Sequence, residues 1–586
     1  MASWRRTKIV CTIGPASEGP AVLASLVAFG LDVARLNLSH GRRDEQQKRI
    51  LTVREVARRA GRRVAIMLDT RGPEVRVGHF LGGQVELQAN SRFTLTAEPV
   101  VGTSEIVSMN TPALAAAVTA GDKLLLDDGN IALRVEAVAG PAIYCRVLNG
   151  GVLKDRKKVN FPGGSLPLPA LTEEDREDIR MGVEMDVDFF AVSFVRRAED
   201  VLQARQVIEA AGGDQLIIAK IENREGVDNV EEILQVADGL MVARGDLGVE
   251  IPPEEIPVIQ KDLIAQCNRA GKPVITATQM LESMVARPYP TRAEASDVAN
   301  AIFDGTDAVM LSAETATGLF PGPAVETMAR IAVHTEQALP YEELPLRLHS
   351  GATPGTITDA ISYATCVTAR ELGATALVTA TQSGHTARMV SKYRPQTPII
   401  AITPQERVAR ALCLVWGVQA LCVERSGSTD EMMQAAIEAV LEAGFVQEGD
   451  LMAITAGVPT GTPGSTNLLK LHTIGKVLLR GVGTTGHVAS GPVRVVTEKS
   501  DFDHVQRGDV LVMSATDRDS IPLLRKAAAL ITEVGGMSSH AAVAGLSLGI
   551  PVVVGVEGAT KSLVNGTIVT VDGRRGLIYR GEARVL

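Results

Sequence analysis

The sequence predicts an α/β protein whose central domain is a (β/α)8 barrel, and two observations carry this prediction. Eight short apolar runs rich in β-branched residues each precede a helix-like segment, which is typical of parallel strands covered on both faces. Eight such units are the number that closes a barrel. Polar residues also follow most of the runs, as expected at the carboxyl ends of barrel strands, where active sites form. The runs are residues 7–13, 32–38, 64–68, 189–194, 216–221, 239–243, 273–277 and 307–311.

The regular spacing of these units breaks between residues 73 and 168. Alternating stretches at 84–88, 92–96, 131–136 and 143–147 are separated by glycine-containing turns, a pattern typical of small antiparallel strands. We therefore predict an inserted all-β domain, a β-barrel in a βα loop, where it is suited to act as a lid. The (β/α)8 barrel then comprises residues 1–72 and 169–340.

Two further segments follow the barrel. Residues 341–473 alternate a helix at 359–372 with strands at 376–380 and 398–403, which predicts a C-terminal α/β domain. Residues 478–586 carry their own strands and glycine turns and predict an appended β/α domain. Its predicted strands are 486–496, 510–514, 552–554 and 567–571.

The composition excludes several classes of protein. The 586 residues include 59 basic and 68 acidic side chains, for a net charge of −9, and 3% are aromatic, which argues against a nucleic-acid partner. The six cysteines show no C-x-x-C spacing and are typical of a reducing compartment. Because no apolar stretch reaches the length of a membrane span, we expect a cytoplasmic protein without a membrane partner.

Charged residues at the ends of the fifth and sixth runs form the strongest candidate site. Strand alternation places Lys220 and Glu222 on one side, and Asp246 follows the sixth run next to Gly245. Two carboxylates suit a Mg²⁺ ion that completes its shell with water or substrate oxygens. The lysine can then neutralise charge on a phosphoryl group or an enolate. The alternative is a structural Lys–Glu pair with a surface aspartate.

Oxygen-bearing residues also follow the second and third runs. They offer one carboxylate and several neutral oxygens, a set that suits a monovalent cation better than a divalent one, although helix capping explains such residues equally well. They are Asn37, Ser39, Asp69 and Thr70. Basic residues near these positions, Arg35, Arg76 and the Lys157–Lys158 pair, could clamp phosphates when the lid closes, or they could be ordinary surface charges.

Ten stretches in the first 330 residues resemble pyruvate kinases and occur in the order of that family; IIAKIENREGV is the most specific. They are KIVCTIGPAS, ARLNLSHG, MLDTRGPEVR, KKVNFPG, VSFV, IIAKIENREGV, MVARGDLGVEIP, TATQMLESM, PTRAE and MLSAETATG. The resemblance implies a TIM barrel with an inserted lid and an α/β domain. It also implies a homotetramer that transfers the phosphoryl group of phosphoenolpyruvate to ADP, giving pyruvate and ATP. A Mg²⁺-dependent barrel lyase and a non-catalytic scaffold are the rival interpretations.

The resemblance further implies a role for each matching residue. Catalytic roles fall to Lys220, Thr278 and Arg35, and phosphoenolpyruvate would contact Arg35, Lys220, Gly245, Asp246 and Thr278. Glu222 and Asp246 would hold Mg²⁺ or Mn²⁺, and Asn37, Ser39, Asp69 and Thr70 would hold K⁺. The nucleotide would face Asn37, Leu38, Ser39, His40, Arg76 and Lys157. In this family a glutamate at the position of Glu74 accompanies K⁺ dependence, so we expect K⁺ activation.

The third segment contains a candidate effector loop between a strand and a helix. Small hydroxyl residues with a glycine at a helix N-terminus can bind a phosphate, although a simple turn and cap is the alternative. The loop resembles the effector loop of the family, which implies allosteric regulation by a sugar phosphate or a nucleotide. Its residues are Thr381, Gln382, Ser383, Gly384, His385 and Thr386.

The fourth segment resembles the swivelling phosphohistidine domain of phosphoenolpyruvate-utilising enzymes. A histidine in the first turn of a helix, as predicted for His540, can accept a phosphoryl group. Ser538 replaces the usual threonine, and Leu546 stands where those enzymes carry an arginine. These departures favour a structural or regulatory role, and phosphoenolpyruvate-dependent phosphotransfer through His540 is the alternative function.

Overall fold

The computed structural model describes residues 4–164, 166–350, 356–424, 428–458, 466–475 and 477–583. The chain forms two compact units. The first consists of Met1–Pro354, Ser391–Arg394 and Gln405–Ala420, and the second of Gly355–Val390, Pro395–Pro404 and Leu421–Leu586. Three segments of the predicted α/β domain, residues 341–354, 391–394 and 405–420, therefore belong to the same unit as the barrel.

Eight parallel strands of the first unit form a closed barrel, which confirms the predicted fold. The predicted runs extend beyond the strands by at most two residues at either end. The strands are Lys8–Thr12, Val33–Asn37, Ala65–Asp69, Phe189–Val192, Leu216–Ile221, Gly239–Ala243, Val274–Ala277 and Ala308–Leu311. Because helices cover the outer face, the strand residues are buried on both sides, as their continuous apolar sequences require.

Helices follow the strands of the barrel. Two of them begin with capping boxes, in which Thr172 pairs with Asp175 and Thr291 with Glu294. The α-helices are Pro20–Phe29, Arg43–Arg59, Glu173–Glu184, Ala198–Ala210, Arg224–Asp228, Val230–Val236, Arg244–Glu250, Ile256–Ala270, Arg292–Asp304, Ala313–Ala316, Pro321–Gln337, Leu344–Ser350 and Glu406–Ala411. Single 3₁₀ turns are formed by Glu282–Val285 and Leu412–Leu414. Leu414, on the second of these turns, packs into the apolar cluster inside the barrel.

The insertion is a β domain, as predicted. Its described strands lie in one sheet of six strands and one sheet of two strands, and isolated bridges pair Arg76 with Lys158, Val77 with Met109 and Phe80 with Gly102. The strands are Gln84–Leu87, Arg92–Thr96, Ile106–Ser108, Lys123–Leu126, Ile131–Ala139, Ala142–Val147, Gly151–Lys154 and Val159–Asn160, and the one described helix is Ala113–Ala117. Lys158 and Met109 adjoin the two edge strands of the six-stranded sheet, so the segment at Arg76 and Val77 is bridged to both of its edges.

The second unit contains two sheets. A five-stranded sheet consists of Ala376–Ala380, Ile399–Thr403, Val418–Cys422, Leu451–Gly457 and Thr466–Thr473, with helices Ile357–Glu371, His385–Ser391 and Thr429–Glu442. An eight-stranded sheet consists of Val477–Arg480, Val482–Gly483, Val488–Val496, Val510–Met513, Ala529–Thr532, Val552–Val554, Ile568–Asp572 and Leu577–Arg580. Its helices are Ile521–Leu524, His540–Leu548 and Ala559–Ser562, with 3₁₀ turns Lys499–His504 and Arg518–Ser520. Across both units, none of the described helices has the length and apolar character of a membrane span.

Candidate active site

A buried lysine stands at the centre of the carboxyl end of the barrel. Lys220, on the fifth strand, is 8% exposed. Its Nζ atom lies 3.0 Å from Asp69 Oδ1, 2.8 Å from Glu222 Oε1 and 2.8 Å from Ser193 Oγ. The ammonium therefore has a partner for each of its three N–H donors, and these partners come from the third, fourth and fifth barrel strands or the residues directly after them.

The charges in this cluster shift one another's pKa values. Burial by itself would lower the pKa of Lys220, but the carboxylates of Asp69 and Glu222 raise it, so the ammonium form is favoured. Burial would raise the pKa of Asp69, but the nearby Arg35 and Lys220 lower it. Burial raises the pKa of Glu222 to about 7, and the neighbouring Asp246 carboxylate contributes to this rise. The site thus contains one carboxyl group whose charge is incompletely balanced by its protein neighbours.

The predicted substrate arginine belongs to the same cluster. Arg35, on the second strand, donates from Nε to Asp69 Oδ2 at 2.6 Å and from Nη1 to Thr12 Oγ1 at 2.8 Å. Asp69 thus lies between Arg35 and Lys220 and holds both cations at the mouth of the barrel. Both cations are buried, and Asp69 balances part of their charge.

Gly245, Asp246 and Thr278 meet at the sixth and seventh strand ends. The Gly245 N–H donates to Thr278 Oγ1 at 2.7 Å, and Thr278 has a φ of 67°. Arg244 fixes this bend, because its Nη2 atom donates to the Thr278 carbonyl oxygen at 2.7 Å. A Cβ at Gly245 would lie 3.4 Å from Thr278 Oγ1, an ordinary contact, so the glycine leaves open space rather than relieving a clash.

The inserted domain contributes Lys158, for which the sequence predicts either a phosphate clamp or an ordinary surface charge. Its Nζ atom lies 3.0 Å from Asp246 Oδ1 and 2.6 Å from Glu74 Oε1. Lys157, which is predicted to face the nucleotide, pairs with Asp127 at 2.6 Å. Because both lysines are adjacent in sequence, only the local backbone direction distinguishes them. Ser193, in the VSFV stretch, is a second site residue without a predicted role.

The predicted nucleotide residues are partly brought together. Ser39, His40 and Arg76 line one cavity of about 570 Å³ between the barrel and the insertion. Arg76 donates to the Glu74 carboxylate and to the Arg156 carbonyl oxygen. Leu38 is buried, and its N–H donates to the Asp69 carbonyl oxygen at 3.0 Å.

The oxygen atoms predicted to bind K⁺ are close in space. Asn37 and Asp69 are paired in register on neighbouring strands. Asn37 Oδ1 accepts the Ser39 N–H at 3.0 Å, and Thr70 Oγ1 accepts the Ser193 N–H at 3.1 Å.

Among the described residues, no group of three or more His, Cys, Asp or Glu side chains is arranged to hold a metal ion. A divalent metal ion held by the carboxylates of Glu222 and Asp246 would therefore need substrate or water oxygens as its remaining ligands.

The two candidate sites of the second unit have the predicted local structure. Thr381, Gln382, Ser383 and Gly384 follow the strand Ala376–Ala380, and His385 and Thr386 begin the next helix. Burial lowers the pKa of His385, with a further contribution from Arg388. His540 is exposed at the first position of its helix, and its Nδ1 atom lies 2.9 Å from Thr516 Oγ1. Leu546, on the same helix, is 61% exposed.

These observations define a (β/α)8-barrel enzyme whose strand ends carry a buried cluster of paired cations and carboxylates. Comparisons with known proteins specify the class further. Residues 4–325 match the family model "Pyruvate kinase, barrel domain", and residues 359–472 match "Pyruvate kinase, alpha/beta domain". Residues 505–576 match "PEP-utilising enzyme, mobile domain".

Full-length relatives carry the same family name. The chain is 54% identical to a pyruvate kinase of Geobacillus stearothermophilus and 51% identical to one of Bacillus licheniformis, in each case over 99% of this chain and the whole relative. A crystal structure of a pyruvate kinase from Cryptosporidium parvum superposes with a TM-score of 0.76 at 40% identity, covering 80% of this chain and 96% of that chain. The chain belongs to the pyruvate kinase family. It is a phosphotransferase that passes the phosphoryl group of phosphoenolpyruvate to ADP.

Proposed function

We propose that the cluster around Lys220 is where phosphoryl transfer takes place. Phosphoenolpyruvate binds to Arg35, Lys220, Gly245, Asp246 and Thr278. The observation that carries this proposal is the buried Lys220 ammonium, which is held between Asp69 and Glu222 at the carboxyl ends of the strands. A fixed positive charge in a site with little water stabilises negative charge that develops during reaction.

The reaction is a displacement at phosphorus. A β-phosphate oxygen of ADP forms the new P–O bond while the bond to the enol oxygen breaks, and the enolate then takes a proton at carbon to give pyruvate. Lys220 and Arg35 stabilise the loose transition state, in which charge spreads over the phosphoryl oxygens and the leaving enolate. The Thr278 hydroxyl, held by the Gly245 N–H, lies on the side of protonation and acts through water.

Glu222 and Asp246 would hold Mg²⁺ or Mn²⁺. The fit rests on the charge of the pair. Burial and the Asp246 carboxylate together raise the pKa of Glu222 to about 7, which means that two buried carboxylates are costly to keep ionised side by side, and a divalent cation would offset that cost. When bound, the ion supplies electrostatic neutralisation of phosphoryl and enolate oxygens. The oxygens of Asn37, Ser39, Asp69 and Thr70 would hold K⁺. The ADP phosphates would lie against Asn37, Leu38, Ser39, His40, Arg76 and Lys157.

The proposed assignment is tested by ADP-dependent formation of pyruvate from phosphoenolpyruvate. Lys220→Met removes the central charge and should lower kcat by about 100-fold to 1,000-fold, as expected when a main electrostatic contact of the transition state is lost. Lys48→Met, on the exposed face of a barrel helix, removes the same charge outside the site and should retain parental kcat. Equal kcat values in both variants would refute the role of Lys220.

The second unit supports regulatory proposals. Residues 381–386 would bind a sugar phosphate or a nucleotide as allosteric effector, which titration of these compounds against activity would detect. The appended domain would have a structural or regulatory role, and acid-labile label on His540 after incubation with labelled phosphoenolpyruvate would instead favour phosphotransfer.

We retain the four-domain division at 1–72 with 169–340, 73–168, 341–473 and 478–586 as part of the proposal. We also propose a cytoplasmic homotetramer. Limited proteolysis would locate the boundaries, and light scattering would measure the number of subunits.

A further inference from the structure

The backbone of the insertion directs Lys158, and not Lys157, toward the barrel. Lys158 forms an isolated antiparallel bridge with Arg76, and its carbonyl oxygen accepts the Asp127 N–H at 3.1 Å. Successive side chains of an extended chain point to opposite sides. The register of this bridge therefore sends the Lys157 side chain to Asp127 and the Lys158 side chain to Asp246 and Glu74.

The surroundings of Lys158 suit a positive charge. Its Nζ atom forms ion pairs with the carboxylates of Asp246 and Glu74. The ammonium also lies 5.4 Å from the centre of the Phe194 ring, a distance that allows a cation–π contact. Phe194 in turn donates its N–H to Glu222 Oε2 at 2.7 Å, so Lys158 is close to both carboxylates of the proposed metal site.

The Lys158 ammonium and a divalent cation need the same carboxylate oxygens. An oxygen that already accepts a hydrogen bond from an ammonium at 3.0 Å presents less negative charge to a metal ion. Two positive charges sharing one carboxylate also repel each other, and this repulsion is strong where water is scarce.

We propose that Lys158 is a positioning residue that occupies the metal side of Asp246 in the ligand-free protein and competes with the divalent cation. The inference rests on the proposed function, because it takes Glu222 and Asp246 as the metal carboxylates. Metal binding releases the ammonium from Asp246, and the freed ammonium, still on the inserted domain, then faces the phosphates of the substrates. The Lys158–Asp246 ion pair weakens metal binding, and metal binding weakens the ion pair, as thermodynamic linkage requires.

Mn²⁺ binding to the full-length protein without substrates tests the competition, with free Mn²⁺ measured by electron paramagnetic resonance. In Lys158→Met the Kd should fall about tenfold, because a repelling unit charge is removed beside the site. Lys158→Arg keeps the charge and should bind within about twofold of the parent protein. Lys154→Met removes an exposed charge from the same domain and should also leave the Kd unchanged.

An unchanged or higher Kd in Lys158→Met would overturn the inference. If this variant lacks the parental circular dichroism spectrum, Lys158→Gln replaces it and is held to the same expected result. Asp246→Asn separates the two possible failures. Mn²⁺ affinity that is insensitive to Asp246→Asn would refute the proposed metal site itself. Loss of affinity in Asp246→Asn with an unchanged Kd in Lys158→Met would refute the competition alone.

Discussion

Ser193 offers the sharpest test of how the site positions its lysine. Its hydroxyl oxygen accepts from Lys220 Nζ at 2.8 Å and donates to the Thr70 carbonyl oxygen at 2.7 Å. Ser193→Ala removes both bonds while leaving Asp69 and Glu222 in contact with the ammonium. One N–H of a buried ammonium then lacks its partner, and the lysine is free to shift toward either carboxylate.

The size of the effect follows from the lost hydrogen bond between Lys220 Nζ and the Ser193 hydroxyl. A hydrogen bond to a charged group contributes about 1.5–3 kcal/mol. If the transition state depends on the position of Lys220, kcat/KM for phosphoenolpyruvate should fall about 10-fold to 100-fold. The expected loss is smaller than for Lys220→Met, because the charge itself remains in the site.

Steady-state kinetics at saturating ADP measure this loss. Ser25→Ala is the matched control, since the Ser25 hydroxyl donates to the Val22 carbonyl oxygen on a barrel helix outside the site. Circular dichroism and thermal unfolding establish that both variants are folded. A kcat/KM of Ser193→Ala equal to that of Ser25→Ala would refute the reasoning, because it would show that two carboxylates suffice to position Lys220.

Three further predictions address stability, thiol chemistry and monovalent cations. Leu414→Ala opens a cavity inside the barrel and should destabilise the barrel by about 3 kcal/mol, which lowers its thermal unfolding temperature. Leu346→Ala, at an exposed position, should leave that temperature unchanged, and equal unfolding temperatures in the two variants would contradict the packing of Leu414. Burial raises the pKa values of Cys145 and Cys413 to about 12. A thiol reagent at pH 8 should therefore first label the exposed Cys422, which peptide mapping would show, and faster labelling of Cys413 would contradict this prediction. Activity should require K⁺, and full turnover in a K⁺-free buffer would refute that expectation.

The fold was largely readable from the sequence because its signals are local. Continuous apolar runs located all eight barrel strands, and their polar ends located Asp69, Lys220 and Glu222. The insertion was recognised from alternation and glycine turns, but not its division into two sheets. Pairing between strands depends on contacts that are distant in sequence, which alternation alone does not specify.

The site was predicted less completely than the fold. Lys220, Glu222 and Asp246 carry charge in an apolar context, which makes them conspicuous. Ser193 was not conspicuous, since a serine after a strand is an ordinary turn residue. Ser193 lies in the stretch VSFV, but no signal in the sequence distinguishes a serine hydroxyl that binds a lysine from one that caps a helix.

The sequence by itself determined the type of barrel, the family and the charged residues at the strand ends, because each depends on residue identity and short-range periodicity. Tertiary structure alone decided which of two neighbouring lysines contacts the carboxylates at the strand ends. Lys157 and Lys158 are identical in type and adjacent in the chain, yet one pairs with Asp127 and the other with Asp246. The difference arises from the bridge between Lys158 and Arg76, residues that are far apart in sequence and come together when the insertion folds.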